Sequence, residues 1–479
     1  MVKYFLLYRK NLMLNKKLFL LTAVVLTAFM TQQTGFAAEK IKTPKNVIIM
    51  IGDGMGYNHI KAADYYQYGE EGKQVYENFP VKYAVATYPA KTGSYGKEQP
   101  WSIAYSPYDA WRTFSYLLEG YTESAGAATA LTSGKKSYNN SIGMDLDYTK
   151  VKNLCEISKE LGKSTGVVTS VPFFDATPAA FVAHNVTRRN YGEIINEMLL
   201  ESSCSVIMGT GNPYYDNDGK PAGEKERNFS GAKDLWEQLN KGEGLKFIIG
   251  GKERTVADID NDGNPDPWTF IQDKDDFIKL KTGDAPKRVF GAPKVFAALQ
   301  SSRGGDANAL PFEVPMNSSA PDLSEMSLAA LNILGKNSAG FFVMIEGGAI
   351  DKAGHANNKG RMIEEMIDFN KAVESVVKWV EERSSWDETL IVITADHETG
   401  YLWGPEKGKF NEIVNNGKGK MPGMEFNSGG HSNSLVAMYA KGAGAELYDI
   451  FADQSDSVRG RFMNNTVIAN VIKTLYKFK

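Results

Sequence analysis

The stretch Val47-Ile-Ile-Met-Ile-Gly-Asp-Gly-Met-Gly56 runs five apolar residues into a carboxylate set between glycines. An apolar run this short, closed by glycine, reads as a strand buried on both faces of a parallel sheet. A glycine-rich turn after such a strand commonly folds backbone amides around a phosphate, yet an anionic Asp53 at its centre would repel that ligand. GDGMG also lacks the spacing of a dinucleotide loop and the Lys-Ser/Thr of a P-loop. Either the loop holds no phosphate, or something positive stands between.

Runs of the same kind recur at 165–170 (TGVVTS), 205–209 (SVIMG), 341–345 (FFVMI), 390–394 (LIVIT) and 435–440 (LVAMYA). Amphipathic segments at 152–161, 190–201, 322–335 and 361–382 lie between them and read as crossover helices. The alternation predicts an α/β fold, a doubly wound and mostly parallel sheet with helices on both faces. Three stretches break it: 91–116, rich in Tyr, Ser and Pro; 212–320, rich in Gly, Asp, Asn and Pro; and 401–428, rich in Gly, Lys and Asn. They are expected to be surface insertions above the strand ends of a single domain over 38–479.

Residues 1–37 are expected to be a cleaved signal peptide. Arg9, Lys10, Lys16 and Lys17 precede the apolar stretch 18–30, and Gly35 and Ala37 stand like the small residues of a cleavage site. The apolar run falls short of the roughly 20 residues a membrane span needs, and no lipobox cysteine offers a stable membrane anchor. Met13 is an alternative start to Met1. A chain cut after Ala37 loses five basic residues and no acidic one, leaving 49 basic against 57 acidic groups, a formal charge of −8. That excess argues against a nucleic-acid-binding role and against anionic membranes, and the expected signal peptide points to a periplasmic or secreted protein. The only two cysteines, Cys155 and Cys204, either pair or stay as separate buried thiols.

In open α/β sheets ligands bind at the carboxyl ends of the strands. Asp53 follows VIIMI, Asp175 and Thr177 follow TGVVTS, Glu346 ends FFVMI, and Asp396 with His397 follows LIVIT. Each acid taken alone reads equally as a helix cap. Together on one rim they would repel each other, and three of the five histidines, His355, His397 and His431, fall in the same kind of place. Asp351 and His355 are four apart and share a face if helical. Nitrogen and oxygen ligands without thiolate suit catalytic zinc, and an Asp, Glu and Thr set suits magnesium. His59 and His184 read as structural histidines. In Thr122-Glu-Ser-Ala-Gly-Ala-Ala-Thr-Ala130, Ser124 opens a small-residue helix, either as a nucleophile at a helix N-terminus or as its N-cap.

Five signatures in order, IGDGMG, TESAGAATA, DATPAAFVAHNVTR, EGGAIDKAGH with TADHETG, and SGGHS, make the chain resemble the alkaline phosphatases from Val47 to about Ala440. The resemblance implies two zinc ions, one held by Asp351, His355 and His431 and one by Asp53, Asp396 and His397. It implies a magnesium on Asp53, Thr177 and Glu346, so that Asp53 bridges two cations. It further implies that Ser124 attacks phosphate monoesters to give a phosphoserine, which zinc-activated water then hydrolyses. Arg188 matches the phosphate-binding arginine, and Lys352 and Asp175 match the bacterial branch, the lysine near phosphate and the aspartate supporting the magnesium site. A homodimer is expected on the same ground. One departure stands out: the family usually has Asp before the nucleophilic serine, and here it is Glu123, whose extra methylene is expected to shift or loosen the Arg188 tether. A phosphodiesterase, a sulfatase and a non-catalytic binding protein are the alternatives. Asp258-Ile-Asp-Asn-Asp262-Gly-Asn-Pro-Asp266 repeats the first half of an EF-hand, but Thr269 stands where the bidentate Glu belongs, leaving an incomplete calcium site or a solvated acidic loop.

Overall fold

The first strand, β1 (Asn46–Gly52), is buried at every position and forms the middle of an eleven-stranded sheet. The computed structural model describes residues 41–222, 233–242, 245–249 and 252–478; the expected signal peptide lies outside the described residues. Lys42–Lys479 form one compact unit. The remaining strands are β2 (Val81–Ala86), β3 (Ser164–Pro172), β4 (Val206–Thr210), β5 (Thr269–Ile271), β6 (Val289–Gly291), β7 (Phe341–Gly347), β8 (Thr389–Thr394), β9 (Val436–Gly442), β10 (Gln454–Asp456) and β11 (Gly460–Asn464). Their order across the sheet is β10-β11-β2-β9-β8-β1-β7-β3-β4-β6-β5. From β8 to β5 all neighbours run parallel.

All six predicted strands form. The segment 435–440 differs in direction, since β9 runs antiparallel to both β8 and β2. An apolar run reports burial on both faces, and burial is indifferent to strand direction. The expected insertion at 212–320 is only partly outside the sheet: β5 and β6 form its edge, joined through a helix at Lys274–Leu280. Three-residue strands are too short to show a period against a polar background.

Helices cover both faces. One group comprises α1 (Tyr57–Tyr68), α5 (Leu323–Leu334), α6 (Ala349–His355) and α7 (Lys359–Arg383). The other comprises α2 (Ser124–Ser133), α3 (Leu154–Glu160), α4 (Ala176–Ala180) and α8 (Thr466–Leu475). α7 carries a buried stripe at Met362, Met366, Phe369, Val373, Val376 and Val380, the helical period that packs it on α1 and α5. Each fully buried side chain of this kind contributes roughly 1.5–3 kcal/mol. Glu346 is the exception inside β7: it is fully buried in a strand otherwise occupied by Phe, Val, Met, Ile and Gly.

Four neighbouring strands, β8-β1-β7-β3, come to one level, at which β8, β1 and β7 end while β3 continues to Pro172. Ile51 of β1 is level with Thr394 of β8 and Glu346 of β7, and Glu346 is level with Thr169 of β3. The loops leaving β8, β1 and β7 therefore start from one line. Beyond Val168 the β3–β4 register shifts, a bulge that turns the chain toward α4. After β1 the chain reverses within Gly52–Met55, with Met55 N–H donating to Gly52 O at 3.0 Å and Gly54 at φ 76°. A Cβ on Gly54 would also lie 2.8 Å from Thr399 Oγ1 and 2.9 Å from Asp351 Cα.

Gly54→Ala therefore combines a left-handed backbone with a clash and is expected to destabilise the fold by about 1–3 kcal/mol. Gly72 has φ 79° and nothing within 4 Å, so Gly72→Ala isolates the backbone term. Denaturant unfolding of both variants checks this, and equal losses would remove the role assigned to the Gly54 contact.

Candidate metal and phosphate centre

Three imidazoles and a carboxylate meet above β8 and β1. Asp351 and His355 lie one turn apart on α6. His431 arrives through a two-residue ladder in which Thr399 pairs with His431 and Glu398 with Ser432. His355 Nε2 and His431 Nε2 are 3.0 Å apart, and each is 3.4 Å from Asp351 Oδ1. Four ligands at zinc-bond length on a tetrahedron are about 3.3 Å from one another, so these three edges fit one ion.

The protonation pattern sharpens the fit. His355 Nδ1 is 2.8 Å from Gly429 O, and His431 Nδ1 is 2.8 Å from Thr122 O. A carbonyl only accepts, so both rings carry their proton on Nδ1 and, when neutral, turn Nε2 lone pairs toward each other. Two lone pairs at 3.0 Å repel unless a positive centre lies between them. The carbonyls are also the partners that orient metal-binding imidazoles.

His397 lies next to this set, its ring stacked on His431 at 3.6 Å between centroids. Its Nε2 is 3.1 Å from Asp396 Oδ2 and 3.5 Å from Asp53 Oδ1. Asp53, Asp351 and His397 also bring ligand atoms within 4.8 Å of one another, so the two groups adjoin through Asp351. Asp53 Oδ1, Asp396 Oδ2, Glu346 Oε1 and Thr177 Oγ1 are all buried without a hydrogen-bond partner. Leaving such atoms unsatisfied costs about 1–3 kcal/mol each, more for charged groups. A divalent cation satisfies several at once, so the residues present fit the ions that the sequence pattern implies.

Burial, then the charges of Asp396, Asp351 and Glu346, push the Asp53 carboxyl well above the usual range. Burial foremost lifts Glu346 to about 8 and Asp396 to about 7. Burial also lowers His397 far below an ordinary imidazole. Asp351 goes the other way: burial opposes its ionisation, but the His431 hydrogen bond and the nearby imidazoles hold its carboxyl far below the usual range.

Ser124 Oγ is 3.3 Å from His397 Nε2, which places the hydroxyl at this cluster. Ser124 is not the N-cap of α2. Glu123 is, accepting from Ala125 N–H at 3.0 Å and Gly126 N–H at 2.7 Å, with Ser124 as the first helical residue. A carboxylate one residue ahead reaches back over two free amides better than the hydroxyl, and it consumes them. Those two amides are thus occupied by Glu123.

The tether expected to loosen is intact. Arg188 Nη1 donates to Glu123 Oε2 at 2.8 Å, and Nη2 donates to Asp175 Oδ1 at 2.6 Å. Asn140 N–H also donates to Glu123 Oε1 at 2.6 Å, so the extra methylene is taken up by a carboxylate anchored to three amides. Lys352 Nζ donates to Asp175 Oδ2 at 3.0 Å. Burial works against Arg188 and Lys352 being charged, but their carboxylate neighbours raise both well above their usual values. Arg189 is exposed.

His59 and His184 are away from the cluster chemistry. His59 accepts from Gly56 N–H at 3.2 Å and is kept neutral by burial at about 4. His184 bonds Glu197 at 2.9 Å and Val151 O at 3.1 Å. In the EF-hand-like loop, Asp258, Asp260 and Asp262 cluster, but Asp258 accepts from Asn261 and Gly263 amides, and the Lys287 ammonium lies against Asp260 and Asp266. Sequence reasoning missed Thr169, which donates to Glu346 Oε2, and Thr399, which donates to Asp351 at 2.6 Å and lies 3.2 Å from His397 Nδ1. Hydroxyls that orient ligands carry no charge signature, though Thr399 stands two residues past His397.

The alkaline phosphatase family model matches residues 44–454. Alkaline phosphatase 4 of Bacillus subtilis is 30% identical over 388 residues, covering 79% of this chain and 68% of that one. Alkaline phosphatase of Escherichia fergusonii is 28% identical over 445 residues, covering 87% and 84%. The match to alkaline phosphatase 3 of Bacillus subtilis spans 61% of that relative's length. Among solved structures, alkaline phosphatase from the Antarctic bacterium TAB5 has a TM-score of 0.59 at 26% identity, over 92% of this chain and 100% of that one. A variant of that enzyme, 25% identical, has Mg bound in its M3 site. The family match runs from just before the central strand to the far edge of the sheet, and the chain belongs to the alkaline phosphatase family.

Proposed function

We propose that this chain is an exported, metal-dependent phosphomonoesterase in which Ser124 attacks a phosphate monoester and the resulting phosphoserine is hydrolysed to inorganic phosphate. The observation that carries this reading is the set of buried carboxylate oxygens without hydrogen-bond partners on Asp53, Glu346 and Asp396, whose charges act on one another near the contact of Ser124 with His397; the Thr177 hydroxyl is likewise buried and without a partner. Asp351, His355 and His431 would hold one zinc, Asp53, Asp396 and His397 a second, and Asp53, Thr177 and Glu346 a magnesium. When bound, such ions supply Lewis-acid charge to the attacking and leaving oxygens of an in-line displacement.

The chain's own residues bind and orient. Glu123 caps α2 and so fixes the backbone that carries Ser124. Glu123 and Asp175 hold the Arg188 fork from two sides, leaving its remaining N–H groups for two phosphoryl oxygens. Lys352, paired with Asp175, adds positive charge without a fixed bond to the ester. Recognition centred on the phosphoryl group leaves the alcohol weakly specified, so small-molecule phosphate monoesters are the proposed substrates. The reading extends to a signal peptide over 1–37, a periplasmic or secreted location and a homodimer. Among the described residues, no helix is long and apolar enough to cross a membrane.

Hydrolysis of an aryl phosphate by the purified chain tests the reading. Chelation is expected to abolish activity and zinc plus magnesium to restore it, while Ser124→Ala lowers kcat by at least about 10³-fold. Activity that survives chelation or the substitution contradicts the mechanism, and preference for a diester or a sulfate moves the assignment.

The raised carboxyls set a pH test of the metal-free protein. A carboxyl whose folded pKa lies above its unfolded value near ~4 stabilises the fold while protonated and stops doing so as pH rises through the folded value. Chelated protein should therefore lose thermal stability progressively as pH rises from about 4, the unfolded value, to about 7 and 8, where Asp396 and Glu346 ionise in the fold, and level off above. Metal-loaded protein should keep it, because the ions bind the ionised forms. Parallel pH curves for the two preparations would count against the ligand assignment.

A further inference from the structure

We propose that Cys155 and Cys204 form an intramolecular disulfide that staples the segment carrying Asp175, Thr177 and Arg188; this goes beyond the phosphomonoesterase reading and does not rest on it. The two are the only cysteines of the chain, so neither has a competing intramolecular partner. Both thiols are buried, at 3% and 1% exposure. Cys155 lies in the first turn of α3, a helix that packs on β3 and β7. Cys204 stands two residues ahead of β4, the neighbour of β3. Thr165 at the start of β3 donates to Cys204 Sγ at 3.6 Å, and Ser205 N–H donates to Thr165 O at 2.8 Å.

The fold thus brings helix and strand entry together, and the two free buried thiols line one and the same cavity. Arg288 fixes the Cys204 side, its guanidinium donating to Cys204 O at 2.9 Å and Ser202 O at 2.7 Å. That positive charge also favours a Cys204 thiolate. A cavity of about 310 Å³ is lined by both cysteines, and its basic residues Lys150, Lys152 and His184 are matched by Glu156, Glu197 and Glu201. His184 is held to about 9, because Glu156 and Glu197 outweigh the cost of its burial, so its charge is paired with those carboxylates, while burial pushes the Cys155 thiol up.

The step needs a thiol–disulfide oxidant. The Cys204 thiolate attacks one sulfur of the oxidant's disulfide and expels the other as a thiolate. The Cys155 thiolate then attacks the Cys204 sulfur of the mixed disulfide and expels the oxidant's second thiolate. Two electrons reduce the oxidant to a dithiol, and the two cysteine protons pass to its thiolates. The closed loop contains β3, α4 and Arg188, so the bond restricts the unfolded chain over the segment that carries half of the phosphate site.

The full chain equilibrated in glutathione redox buffers, acid-quenched, alkylated in denaturant and peptide-mapped decides the matter. At excess glutathione disulfide we expect a linked Cys155–Cys204 peptide with no alkylation at either position, and a Tm several degrees above that of the reduced chain. Cys155→Ser and Cys204→Ser should each lack the redox-dependent Tm shift. Two alkylated thiols, or a glutathione adduct on each cysteine, at the oxidising limit would overturn the proposal. A linked chain with an unchanged Tm would overturn the staple. No readout involves ester hydrolysis, so the outcome stands whatever becomes of the Ser124 mechanism.

Discussion

Buried negative charge at the ends of four adjacent parallel strands is the constraint around which the rest of this structure is arranged. β8, β1 and β7 end level with one another while β3 runs on to Pro172, and each delivers at least one carboxylate to the same rim: Asp396, Asp53, Glu346 and Asp175. Water is largely excluded from Asp53, Glu346 and Asp396, which are buried between the sheet beneath and the helices around them. Isolated buried carboxylates escape such a position by taking up protons, and the upward pull on Asp53, Glu346 and Asp396 expresses that pressure. Divalent cations relieve it while leaving the groups ionised, and they also relieve the opposed lone pairs of His355 and His431.

Asp175 and Glu123 belong to a second, differently balanced system. They meet Arg188 and Lys352, so their charge is neutralised by the chain itself. The centre is therefore divided into a side of buried carboxylates that cations from solution would balance and a side whose cations belong to the chain itself. A phosphate ester suits the boundary, since its oxygens can face both. Glu123 couples the two sides mechanically, because the carboxylate that holds Arg188 also caps the helix that starts with Ser124. The substitution of Glu for Asp has not cost the arginine contact; it adds a methylene that three backbone amides hold in place.

Much of this was legible before any coordinates. Strands of Val, Ile, Leu, Phe and Met between amphipathic helices announce a buried parallel sheet, and acids placed just past such strands announce its functional edge. Distance in sequence hid the rest. Asp53 and Asp396 are adjacent in space because β1 and β8 pair across more than 300 residues, which no local pattern reports. The two-residue ladder that sets His431 beside His397 is too short to carry a period. The three-residue strands β5 and β6 were hidden for the same reason, and the direction of β9 because burial on both faces is indifferent to it. Thr399 and Thr169 escaped because a neutral hydroxyl is informative only once its partner is known, and the N-cap fell to Glu123 because reach, not residue type alone, decides which side chain closes over free amides.

The central claim is that Asp53 stands between cations and serves more than one of them. Elemental analysis of purified wild-type protein and of Asp53→Asn, each loaded with zinc and magnesium and dialysed under identical conditions, tests it directly. An amide keeps the shape of the carboxylate and removes its charge, so the account predicts that the variant loses zinc and magnesium together while Tm of the chelated protein does not fall. Full zinc and magnesium content in Asp53→Asn, equal to wild type, would contradict it.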